Sequence, residues 1–101
     1  MYEVRFSGKQ KKLFKRLLQK LSTELKNKIR DILENNPYPS PTHGDRLCKV
    51  EKKGKLYCIE ATGGDRILYD IIELGQNQKF VRVVFSGDDD AEIRFLKKHA
   101  K

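Results

Sequence analysis

The chain has no tryptophan, one methionine, two cysteines, two histidines and three prolines among its 101 residues. Two cysteines exclude a scaffold held together by several disulfides, and two cysteines with two distant histidines carry no metal-site signature. No apolar run approaches the length of a membrane span. The charged residues that follow Met1 are not succeeded by an apolar signal core, so the expectation is a soluble, cytoplasmic protein with no membrane partner and two reduced thiols. Internal repeats and low-complexity segments are lacking. Gly63-Gly64 is too short for a phosphate-binding loop and is not followed by the Lys-Ser/Thr pair such a loop needs, so no nucleotide cofactor is expected.

Acidic residues are outnumbered. Fourteen Asp and Glu stand against 22 Lys and Arg, leaving a net charge of +8. Such a field attracts RNA, DNA, an anionic surface or an acidic protein, and charge alone does not choose among them. The apolar fraction, 38%, is modest, but it arrives in periodic blocks, which excludes a disordered chain and fits one domain spanning residues 1–101.

"YEVRF" alternates, with Tyr2, Val4 and Phe6 on one side, and reads as a short strand. Ser7 is placed to cap a helix over Lys9–Lys20, where Leu13, Phe14, Leu17, Leu18 and Leu21 form a stripe and Lys11, Lys12, Lys15, Arg16 and Lys20 stand elsewhere. Ser22 or Thr23 can cap a second helix carrying Leu25, Ile29, Ile32 and Leu33, which Asn35-Asn36-Pro37 ends. Beyond the proline-rich connector "NPYPSPTHGD" the period changes to that of strands: Arg46–Glu51, Lys55–Ala61, Arg66–Glu73 and Lys79–Ser86. Asp88-Asp89-Asp90 then opens a helix over Ala91–Lys101. The expected fold is α+β: an N-terminal strand, a two-helix hairpin, a four-stranded antiparallel meander and a short C-terminal helix, with the hairpin covering one sheet face.

Alternation assigns the faces. Ile67, Tyr69 and Ile71 should meet the helices, while Arg66, Leu68 and Asp70 face away. In the last strand Val81, Val83 and Phe85 form one row, and Phe80, Arg82 and Val84 the other. Apolar groups on the second face call for a ligand, a partner chain or cover by the C-terminal helix. A two-residue turn at Lys53-Gly54 would set Cys48 opposite Ile59 and leave Cys58 on the other side of the sheet; a three-residue turn could bring the sulfurs together.

Several side chains suit phosphate chemistry. Arg66, at the start of a strand, could hold a phosphate through two parallel hydrogen bonds. Cleavage of RNA at a ribose 2′-hydroxyl needs a base, a cationic clamp and an acid; His43 or Glu60 could be the base, Arg66 the clamp, and Tyr57 or His99 the acid. Arg46, Lys52, Lys53, Lys55 and Arg82 are candidates for backbone contacts. Each has a plainer reading as a solvated or ion-paired group, Arg66 with Asp65, Asp70 or Glu60 among them.

The organisation resembles the RelE/ParE toxin superfamily, the toxins of type II toxin–antitoxin pairs. The resemblance covers nearly the whole chain and is densest in "GKLYCIEATGGDRILYDI", where Gly54, Tyr57, Gly64, Arg66, Ile67, Leu68 and Tyr69 look like family positions; "VVFSG" looks like the last strand. It implies a cognate acidic antitoxin, laid over the basic helices or the open sheet. It also implies one of three activities: ribosome-dependent cleavage of messenger RNA, inhibition of DNA gyrase, or a catalytically inactive member that binds nucleic acid or antitoxin. Arg66 matches a ribonuclease position of the family. Cys58 and Glu60 stand where basic groups would be, and Asp88 or Asp89 replaces a later one.

Overall fold

The computed structural model describes residues 1–39, 48–61 and 63–99; of His99 it describes the backbone. His43 and Arg46 lie outside the described residues. The elements follow in the order β1 (Glu3–Phe6), α1 (Gln10–Gln19), α2 (Thr23–Asn35), β2 (Cys48–Lys53), β3 (Leu56–Ala61), β4 (Asp65–Gly75), β5 (Gln78–Asp88) and α3 (Asp89–His99). This is the α+β arrangement the periodicities imply.

The strands form one sheet in the order β1-β5-β4-β3-β2. Neighbours from β2 to β5 are antiparallel, whereas β1 lies parallel to β5, with Val4 beside Val81 and Phe6 beside Val83. Phe14, Leu17 and Leu18 of α1 and Leu25, Ile29, Ile32 and Leu33 of α2 are buried against the row that includes Ile59, Ile67, Tyr69, Val81 and Val83. Ser22 caps α2 through its hydroxyl, which accepts from the Leu25 amide at 3.2 Å. Ser7 has no such role. The N-cap of α1 is Lys9, with no side-chain hydrogen bond, because Gly8 at φ +56° turns the chain in between.

Three details differ from the sequence reading. The first hairpin turns at Gly54-Lys55, since Lys53 pairs with Leu56; Gly54 takes φ +64°, which suits a tight hairpin turn. Cys48 therefore faces Ala61, while Cys58 faces Glu51, and the two thiols occupy opposite sides of the sheet, both buried and not joined by a disulfide. Next, the β4–β5 register slips between Leu68 and Tyr69: Leu68 faces Phe85 but Tyr69 faces Val83, leaving Val84 as the extra residue of a bulge. The slip takes Phe85 out of the Val81–Val83 row and onto the second face, where its ring lies 5.1 Å from that of Phe95 in α3. Finally, α3 begins at Asp89, with the Asp88 carboxylate accepting from the Ala91 amide at 2.7 Å. The second face is thus covered in part by the chain's own last helix, and Leu68 is fully buried there. Among the described residues no helix is long and apolar enough to cross a membrane.

Candidate functional site: a charged cluster beneath the last helix

Strand alternation brings one set of polar side chains to the α3 side of the sheet. Glu60 of β3 stands directly across from Arg66 of β4, and Lys49 of β2 across from Glu60. Lys53 and Cys58 share that face. From above, α3 contributes Glu92, whose exposure is only 3%. Its carboxylate accepts from the Lys53 ammonium at 3.2 and 3.0 Å and from the Cys58 thiol at 3.0 Å. Arg66 Nε lies 3.9 Å from the same carboxylate.

Glu60 is the second anionic centre, 3.4 Å from Lys53, 3.8 Å from Lys49 and 4.0 Å from Arg66. Lys49 also meets Glu51 at 3.6 Å. Lys49, Lys53 and Arg66 are therefore matched by Glu51, Glu60 and Glu92, a cluster close to neutral. Arg66 directs further donors at its own backbone: Nη1 donates to the carbonyls of Ala61 at 3.3 Å and Asp65 at 3.0 Å, tying together the bend between β3 and β4.

These surroundings set the protonation states. Burial alone would raise the Glu60 carboxyl, but a hydrogen bond with Glu51 and the charges of Lys53 and Lys49 outweigh it and hold the group below its ordinary 4.5. A carboxylate stabilised in this way is a poor proton acceptor near neutrality. Burial pushes the Cys58 thiol up, and the Glu92 carboxylate pushes it further, so the nucleophilic thiolate is disfavoured. For Lys53, burial opposes the charge, but the hydrogen bond to Glu92 and the nearby negative groups prevail and raise it above 10.5.

The nominated residues divide between the two sides of the sheet. Arg66, Glu60 and Lys53 are brought together. Tyr57, proposed as the acid, is on the helix-hairpin side, its ring stacked 5.9 Å from Tyr69 and edge-on 5.9 Å from Tyr38, and it cannot serve a phosphate held by Arg66 across the sheet. Lys52 goes with Tyr57, its ammonium 5.8 Å from that ring. Lys55 is exposed in the turn, and Arg82 is held by Asp70 at 2.7 Å. Of the other partners considered for Arg66, Asp65 contributes only its carbonyl, and Asp70 is taken by Arg82. Among the described residues no three His, Cys, Asp or Glu groups gather as metal ligands do.

The sequence reading passed over Glu92, although a signal was present. Glu92, Phe95 and Leu96 recur at helical spacing, so the face of α3 that seats Phe95 also carries Glu92 inward, while Ile93 is left 52% exposed. Comparison of the chain with protein-family models, with curated proteins and with solved structures finds no match in any of the three.

Proposed function

We propose that this chain is the toxin half of a type II toxin–antitoxin pair of the RelE/ParE kind, and that it acts by occupying its target without cutting RNA. The class rests on the resemblance of "GKLYCIEATGGDRILYDI" and on the order of strand, paired helices, meander and final helix, which is compatible with it. The non-cleaving mode rests on one observation above all. Arg66, the residue that matches a nuclease position, is engaged by Glu60, Glu92 and two backbone carbonyls. A phosphate at that guanidinium would meet two carboxylates within 4.0 Å of it, and like charges so close repel strongly in a partly buried place.

The partner this implies is an acidic antitoxin, drawn by the net charge of +8, and the target is a machine that works on nucleic acid: DNA gyrase or the translating ribosome. Ribosome-dependent cleavage of messenger RNA is the second reading. What favours it is the gathering of Lys49, Lys53 and Arg66 on one sheet face, with Glu60 among them as the group closest to a base.

Purified protein added to a translation reaction, with message ends mapped, and to a DNA supercoiling reaction separates these readings. The proposal expects one of the two reactions to stop while the messages stay intact. New message ends that disappear in Arg66→Ala would replace it with the nuclease reading. Undisturbed translation and supercoiling, with no acidic chain encoded beside this one, would remove the toxin assignment.

A further inference from the structure

Most of the chain's excess charge comes from one short stretch. Residues 9–20 hold Lys9, Lys11, Lys12, Lys15, Arg16 and Lys20 and no acidic residue, so six of the eight net positive charges lie on or beside α1. Folding does not favour this. The first turn of α1 lacks any acidic group and Lys9 supplies no side-chain cap, so cations crowd the end of the helix where the backbone dipole is already positive. Lys11 and Lys15, Lys12 and Arg16, and Arg16 and Lys20 are like charges one turn apart, a spacing that destabilises a helix.

Most cations of the sheet are matched instead. Arg5, Lys49, Lys53, Arg66 and Arg82 each meet a carboxylate within 4.0 Å. Among the described residues none of the six cations on and beside α1 has such a partner. All six are exposed, and Gly8, Lys9, Lys11, Lys12 and Lys15 line one shallow depression at the start of the helix.

We infer that the exposed face of α1 is a docking surface for the phosphate backbone of a nucleic-acid duplex, engaged without regard to sequence. This goes beyond the toxin reading and does not depend on it. From Lys9 to Lys20 the row spans about 17 Å at the rise of an α-helix. A duplex offers about ten phosphates over that length, more than the cations that any one side of the helix presents. An acidic amphipathic peptide would need an apolar groove beside the charges; α1 offers it Leu13, 39% exposed, and its other leucines and Phe14 are buried in the core. The apolar hollow lined by Val4, Phe6, Phe14 and Leu33 opens on the side of α1 turned away from Lys12 and Arg16, and charge without an apolar anchor beside it favours the phosphate backbone.

The test measures binding of labelled RNA and DNA duplexes of arbitrary sequence over a range of salt concentrations, for the wild type, Lys11→Glu/Lys12→Glu and Lys12→Gln/Lys15→Gln. Binding that weakens steeply with salt is expected, with the logarithmic slope falling by about 0.9 for each lysine removed and the charge reversal costing tenfold or more in affinity, to order of magnitude. The charge-reversed protein should also melt at a higher temperature than the wild type, because the substitution relieves the helix end. The two duplexes distinguish RNA from DNA as the source of the phosphates. Duplex affinity unchanged in both variants would overturn the inference, as would poly-glutamate binding α1 as tightly as either duplex at equal salt. Should the charge-reversed chain fail to fold, the glutamine pair decides by the same slope. The toxin reading stands or falls separately, on translation and supercoiling.

Discussion

The hydroxyl of Tyr69 donates to the carbonyl of Pro37 at 2.6 Å, and both residues are buried. This bond fastens the chain leaving α2 to the middle of β4, at the point where Asn36 and Pro37 end the helix. Tyr69→Phe keeps the ring and its stack with Tyr57 but leaves the carbonyl without its donor. A loss of about 1–3 kcal/mol is expected, from the cost of an unpaired buried polar group. Urea titration of the two proteins checks it; equal midpoints would mean the bond contributes nothing net.

The Glu92 carboxylate is the main polar attachment of α3, supported by the Phe85–Phe95 ring contact. Glu92→Gln keeps the shape and removes the charge. Hydrogen exchange should then accelerate across residues 89–99 while the amides of β3 and β4 keep their protection, because the core on the other side of the sheet is untouched. Uniform acceleration throughout the chain would show that α3 and the core unfold as one unit.

Gly87 faces Arg66 across the β4–β5 ladder, and a Cβ built there would come 2.8 Å from Cζ of Phe85. The ring cannot move freely, since Phe95 lies against it. Gly87→Ala should cost about 1–2 kcal/mol, the usual penalty for overfilling a packed site, and should lower the melting temperature. An unchanged melt would show that the Phe85 ring has room to yield.

Stability should fall at both ends of the pH scale. Glu60 and Glu73 are held below their ordinary 4.5, Glu60 by the balance described above and Glu73 by hydrogen bonds from Tyr2 and Tyr38. Groups lowered on folding contribute stability above pH 4.5 and lose it as the pH falls through their folded values. Cys58, Tyr2, Tyr38 and Tyr69 are raised, with burial as the largest cause, and Lys53 is raised by Glu92 and its other negative neighbours against the pull of burial. Groups raised on folding stabilise fully below their ordinary values, 9.0 for the thiol, and lose that contribution as the pH climbs through the folded ones. Urea midpoints should therefore drop below about pH 4 and above about pH 9. A midpoint that rises on the alkaline side contradicts this sign.

Neither thiol should react in the folded protein. Cys48 is buried in the core and Cys58 lies beneath Glu92, so an aromatic disulfide reagent at pH 8 should find two thiols only after denaturation. Rapid reaction of one thiol in native buffer would mean that α3 opens often enough to expose Cys58.

Much of the fold was legible because periodicity reports burial. Leu25, Ile29, Ile32 and Leu33 could be placed on one helix face, and Ile67, Tyr69 and Ile71 on one sheet face, from spacing alone. Spacing does not encode a slip in register, and the extra residue at Val84 sends Phe85 to the side opposite the one its number implies. The candidate site was legible to the same degree. Alternation within β3 puts Glu60 and Tyr57 on opposite faces, so the two could not both join Arg66; the register, with Glu60 across from Arg66, decides which of them does. The Glu92 contact was not legible in this way, because it joins two elements whose relative placement depends on where the bulge sends Phe85.

The first strand and the last are side by side in the sheet, with residues 7–77 between them. During synthesis β1 emerges with nothing to pair with until residues 78–88 have followed it. The paired helices can form on their own schedule, but closure of the sheet must wait for β5. Loop closure over so long a separation is slow, and a truncated nascent chain would expose the Val4–Phe6 edge to whatever else is nearby.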